Sequence, residues 1–237
     1  MGADFGSTHW SVVLEAAKAD GSPEARAALE ALCRAYWQPL RVYARRRGLD
    51  DHAAEDVTQE FFARQVATGA LFKGVAPQRG KFRCWLQSAM WNHLNTTWDF
   101  ERAAKRGGGH GTVPLEAFVA AEGALAPPPD APEVLSQYDR AWATQLLHRA
   151  RELLSRRYRE NEKTDAFEQL RRFLPGEEGS LAEAAERLGK TRGATKTLVS
   201  RFRADFGDAV RAEIRRTVSS DKDVDDEIRA LIKAVAT

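Results

Sequence analysis

SLAEAAERLGKTRGATKTLVSRFRADF, residues Ser180 to Phe206, spells out a helix, a turn and a second helix. Ser180 suits an N-cap, and Glu183 three residues on completes a capping box. Leu181, Ala184, Ala185 and Leu188 fall on one face of a short helix, and Gly189 follows where a residue with positive φ is wanted. After the turn Gly189-Lys190-Thr191, a second helix runs from about Arg192 to Phe206, with Ala194, Leu198, Val199, Phe202 and Phe206 expected inside. Its other side presents Arg192, Thr195, Lys196, Ser200 and Arg203, with Arg201 beside them. In a DNA-binding helix-turn-helix the second helix lies in the major groove, where Lys and Arg meet phosphates and guanine edges. An ordinary helical hairpin is the alternative. The six basic residues from Arg187 to Arg203, with no acidic one among them, favour DNA.

The helical period continues outward from this segment. Leu146, Leu147, Ala150, Leu153, Leu154 and Tyr158 recur at helical spacing, as do Leu29, Leu32, Cys33, Tyr36, Trp37 and Leu40, where Pro39 is expected to kink the helix. No stretch alternates with period two, so the chain is expected to be all-α. A last helical segment, roughly Asp208 to Ala236, carries Val210, Ile214, Val218, Ile228 and Ile232. Between Gly107 and Pro132, a GGGHG run and an APPPDAP run enclose a stretch without a period, which reads as a linker. The expected division is a first domain at 1–106, a linker at 107–133, a helix-turn-helix domain at 134–218 and a helical tail at 219–237.

With 237 residues, 36 Lys+Arg against 34 Asp+Glu and a net charge of +2, the chain falls in the soluble globular class. It lacks a run of apolar residues able to span a bilayer and a secretory start, so a cytoplasmic location is expected. Cys33 and Cys84 stand apart from any CxxC pair and are expected to be buried. The charge is uneven. Arg79 to Arg106 holds six basic and two acidic residues, a second basic segment. Within it Phe82, Trp85, Leu86, Ala89, Met90, His93 and Thr97 form one helix face, while Trp91, Asn95, Trp98 and Arg102 lie on roughly the opposite one. Aromatic rings beside Arg suit the unstacked bases of a single strand. The other possibility is that both tryptophans pack against Trp37 or a neighbouring helix.

His52, Glu55, Asp56 and Glu60 make an acidic patch suited to a basic partner surface, with Phe61 and Phe62 beside it. A metal site would need a second cluster, and none is found. No phosphate-binding glycine loop, nucleophile elbow or His/Glu zinc motif occurs. Neither an enzyme nor a cofactor is therefore expected.

The order of acidic helix, aromatic basic helix, linker and helix-turn-helix resembles bacterial RNA polymerase sigma factors of the extracytoplasmic-function group, in the sigma-70 family. The motifs that carry the resemblance are Glu55-Asp56-Val57-Thr58-Gln59-Glu60-Phe61-Phe62, Phe82-Arg83-Cys84-Trp85-Leu86 followed by Asn92 and a basic tail, and Gly193, Lys196, Ser200, Arg201 and Arg203. It is closer still to a subset whose tail ends Lys-Arg-Gly-Gly-Gly, as Lys105 to Gly109 does. That subset opens like Trp10-Ser11-Val12-Val13-Leu14 and Ala35-Tyr36-Trp37-Gln38-Pro39-Leu40, and carries Trp142 and a run like Phe167, Leu170, Phe173 and Leu174. Thr195 stands where a valine is usual, Leu198 where a basic residue is frequent and Leu181 where a tyrosine is common.

The resemblance implies a sigma factor, with a winged-helix-like second domain, that binds core RNA polymerase and directs promoter recognition, DNA melting and transcription initiation. Glu55, Asp56, Gln59, Glu60 and Phe61 would dock on the clamp helices of the largest polymerase subunit. Arg83, Trp85, Trp91, Asn92, Asn95, Trp98, Arg102, Lys105 and Arg106 would hold the minus-ten element. Arg192, Thr195, Lys196, Thr197, Ser200, Arg201 and Arg203 would read or clamp the minus-thirty-five duplex. An anti-sigma or other regulatory protein is a further expected partner. The rival is a free-standing helix-turn-helix regulator binding duplex DNA as a dimer, and a third reading is an adaptor whose helix-turn-helix is only a scaffold.

Overall fold

Ser22 begins the first long helix, α1 (Pro23–Arg46): its Oγ accepts from the Ala25 amide at 3.1 Å, and Pro23 sits in the first turn, where a missing amide donor costs nothing. The structure, a computed structural model, describes residues 13, 15–16, 22–68, 81–105, 132–218 and 220–236, with backbone alone at 65–68, 101 and 103–105. The opening motif at Trp10–Leu14, apart from Val13, and the linker up to 131 lie outside the described residues. Helix α1 continues through Pro39, which is buried. Asp50 caps α2 (Asp51–Thr68) by accepting from Ala53 N at 2.8 Å. The chain continues in α3 (Phe82–Lys105), α4 (Pro132–Glu160), α5 (Thr164–Leu170) and a 3₁₀ turn at Arg171–Phe173. It closes with α6 (Leu181–Arg187), α7 (Arg192–Arg215) and α8 (Asp221–Ala236). The described residues are helical and hold no strand, so the fold is all-α and nothing among them makes a wing.

Two compact units result: Met1–Gln145 with Arg215–Thr237, and Leu146–Ile214. The first unit takes in more than the expected 1–106. Helix α4 begins at Pro132, inside the expected linker, and its first half belongs here, as does α8. The reason is packing. Tyr43 and Tyr138 meet edge to face at 6.0 Å, both fully buried, and the Tyr138 hydroxyl donates to the Arg83 carbonyl at 2.9 Å. Tyr36 and Phe82 meet edge to face at 5.4 Å, in a core that also holds Leu40, Phe61, Leu86, Met90 and Leu94.

Helix α8 is capped by Ser220, whose Oγ accepts from Asp223 N at 3.2 Å and donates to the Asp223 carboxylate at 2.7 Å. The continuous segment expected from Asp208 is thus broken: α7 runs on to Arg215, and a new helix starts after Ser220. Helix α8 buries Val224, Glu227, Leu231 and Ala234. Cys33 is half-buried and Cys84 exposed, contrary to the buried positions expected for both.

The second unit closes on three rings. Phe202 lies 5.3 Å from Tyr158 and 5.8 Å from Phe167, with Leu170, Leu174, Ala184, Ala185 and Val199 also buried. Gly179 carries no side chain for a steric reason: a Cβ there would fall 2.8 Å from the Arg172 carbonyl and 2.9 Å from the Phe173 ring. Arg149 reaches Glu213, which is buried, at 3.0 Å.

Candidate nucleic-acid interface

In the second unit the helix-turn-helix forms at the expected places. Ser180 Oγ accepts from Glu183 N at 3.4 Å, α6 ends at Arg187, and Gly189 takes φ +60°. Thr191 Oγ1 then accepts from Ala194 N at 3.3 Å and starts α7. No acidic residue occupies the first turn of α7, so its positive dipole end is not offset by a side-chain carboxylate there.

Arg192, Lys196, Thr197, Ser200 and Arg201 are exposed on α7. Arg203 is exposed as well, with its Nε donating to the Phe173 carbonyl at 3.0 Å. Thr195 differs from its expected place: it is fully buried, its hydroxyl donating to the Thr191 carbonyl at 3.0 Å, while Ala194 is exposed. Thr195, Val199, Phe202 and Phe206 share the inward face, so the helix phase set by the two phenylalanines turns Thr195 inward.

In the first unit the basic segment divides in two. Its beginning is absorbed into the fold. The Arg83 side chain keeps 11% exposure, donates to Glu227 at 2.8 Å and pairs with Asp139, while its guanidinium lies 4.7 Å from the Trp142 ring centre. Lys81 reaches the same Glu227 at 3.2 Å. Trp85 is buried and stacks on Phe82 at 5.8 Å. Arg83, expected at DNA, is therefore held among α3, α4 and α8, and Trp85, expected there too, is buried against its own helix neighbour. Glu227, which closes this network, carried no signal in its own neighbourhood of the sequence, since it lies 144 positions from Arg83.

The rest of α3 keeps an open side. Trp91, Asn92, Asn95 and Trp98 are half-exposed, and the two indoles meet edge to face at 6.5 Å. Trp37 instead stacks on Phe62 at 5.9 Å. Arg102 is exposed, 3.8 Å from Asp99. The Lys105 side chain and Arg106 lie outside the described residues. On the inner side burial, with Arg64 nearby, pushes the His93 imidazole down to about 3, so it is neutral at physiological pH.

On α2 the side chains of Glu55, Asp56 and Gln59 form an exposed strip. Glu60 is half-buried and accepts from Arg64 Nε at 2.8 Å. Phe61, expected to dock, is fully buried and packs 5.6 Å from the His93 ring, so it supports the strip from beneath. Among the described residues no group of His, Cys, Asp and Glu is arranged to hold a metal ion, and no helix is long and apolar enough to cross a membrane. No family model, curated protein or solved structure matches the chain.

Proposed function

We propose that the protein is a sigma factor, which joins core RNA polymerase and brings it to particular promoters. The observation that carries the reading is the helix-turn-helix of the second unit, whose second helix exposes Arg192, Lys196, Thr197, Ser200 and Arg201 with no acidic side chain among them. Such a face suits the minus-thirty-five duplex: cations clamp phosphates, and short hydroxyls allow close approach to base edges. Each phosphate contact releases counterions, so affinity falls steeply with salt.

In the first unit the Trp91–Trp98 ridge, with Asn92, Asn95 and Arg102 along the same helix, suits the opened minus-ten strand, where each stacked base contributes about 1–3 kcal/mol. Arg83 serves the same site from inside, by fixing α3 against α4 and α8, and Trp85 packs on Phe82. Glu55 and Asp56 offer negative charge to a basic groove on the polymerase, and Gln59 beside them adds a neutral hydrogen-bonding amide. No step of this work calls for a catalytic group or cofactor.

The test is to mix the full-length protein with core RNA polymerase, follow co-elution, and transcribe from a pool of upstream fragments. Co-elution with new start sites is expected, and Asp56→Arg should abolish both, since it reverses a charge in the exposed strip. A protein that stays apart from polymerase yet shifts duplex DNA as a dimer is instead a free-standing regulator.

A further inference from the structure

Arg47 belongs to neither basic segment, yet it sits on the ridge. Its guanidinium lies 3.8 Å from the ring centre of Trp91 and 5.9 Å from that of Trp98. The two indoles come from one helix, seven positions apart, while Arg47 comes from the C-terminal cap of α1, so the cluster joins two elements. Its backbone is held as firmly as a helix end allows. The Arg47 amide donates to the Tyr43 and Ala44 carbonyls, both at 3.1 Å, and Gly48 at φ +99° turns the chain away behind it.

We propose that Arg47 is the third plane of the single-strand platform. It positions Trp91 and Trp98, and it adds a fixed positive charge beside the strand. This rests on reading the Trp91–Trp98 ridge as a single-strand contact.

Three observations carry the assignment. Both rings are half-exposed, and their aromatic partners among the described residues are each other; Arg47 is half-buried with its Nε enclosed, so the rings lie at the surface over a partly covered arginine. A guanidinium stacked over an indole is drawn to the ring face and limits the rotamers of both side chains, which preorganises the platform before any strand arrives. Arg also combines the two chemistries this role needs, a flat face for an indole and a fixed positive charge beside the strand. The neighbouring Arg45 is engaged differently, 3.2 Å from Asp51, and Arg46 is exposed with no ring contact.

The experiment uses the full-length protein with core RNA polymerase and short fluorescein-labelled single strands of mixed sequence, titrated over a range of salt by anisotropy. Arg47→Ala should weaken binding about tenfold, within the range set by losing one stacking plane, and lower the salt slope by about 0.7. Arg47→Lys, which keeps the charge without the plane, should restore the slope while remaining several-fold weak. Arg46→Ala should stay within about twofold of wild type. Thermal melting checks that each variant folds, and Arg47→Lys carries the test if Arg47→Ala does not. The inference is overturned if Arg47→Lys binds like wild type in both affinity and slope, or if Arg46→Ala loses as much as Arg47→Ala, which would make bulk charge the cause. Loss on Trp98→Ala with Arg47→Ala unchanged also overturns it while leaving the ridge standing. If wild type shows no strand binding while Trp98→Ala behaves identically, the reading of the ridge itself fails and the inference with it.

Discussion

Lys81 and Arg83 in the first unit, and Arg192, Lys196 and Arg201 in the second, come from two basic segments, Arg79 to Arg106 and Arg187 to Arg203, but meet opposite surroundings. The first pair converges on Glu227, whose side chain keeps 3% exposure, and Arg83 also meets Asp139 and the Trp142 ring. The second group stands in solvent on one helix. Charge counted along the sequence is therefore not charge on the surface. In the first unit the cations hold three helices together and tryptophans are left to face outward. In the second, Arg149 turns onto a buried carboxylate, Glu213, while the cations of α7 face outward. A surface of half-exposed indoles suits a single strand, and a surface of cations and short hydroxyls suits a duplex.

The contrast can be broken most sharply at Glu227. Replacing it with Ala leaves Arg83, nearly enclosed, to Asp139 and takes the carboxylate from Lys81, and truncating one member of a buried pair costs up to about 3–5 kcal/mol. Chemical denaturation should show that loss for Glu227→Ala, while Lys196→Ala stays within about 0.5 kcal/mol of wild type. Equal, small effects would mean the two basic segments are alike after all.

A pH series sharpens the same comparison at smaller magnitude. His93 has its folded-state value lowered to about 3 from 6.5, so below 6.5 the unfolded chain binds a proton that the native state does not. Stability from this group is present above 6.5 and is lost as pH falls toward 3, by at most about 1.4 kcal/mol per pH unit. Melting between neutral and mildly acid pH should flatten in His93→Leu relative to wild type. The smallest effect is on affinity: Lys196→Ala should weaken duplex binding uniformly across sequences and lower the salt slope by about one. An unchanged slope would place that side chain away from the phosphates.

Much of this was legible in the sequence. The face from Phe82 to His93 is buried as its spacing implies, and Ser180, Gly189 and Thr191 frame the helix-turn-helix. What escaped was of two physical kinds. Thr195 and Ala194 exchange places because helix phase, anchored by Phe202 and Phe206, outweighs the polarity of a single threonine whose hydroxyl finds a carbonyl one turn back. Arg83 with Glu227, and Arg47 with Trp91, are pairings between distant elements, and no local period announces them. The Arg45-Arg46-Arg47 run was visible, but it precedes Asp50 and Asp51 and so does not stand out as a basic segment.

The division of labour between the two units is tested most directly by footprinting one promoter bound by core polymerase and the full-length protein, reading duplex protection and permanganate reactivity of opened bases together. Trp98→Ala should remove the opened-base signal while upstream protection persists, and the double change Lys196→Ala with Arg201→Ala should remove upstream protection. If Trp98→Ala and the double variant lose both signals in equal proportion, the two units do not divide strand and duplex between them, and the account is wrong.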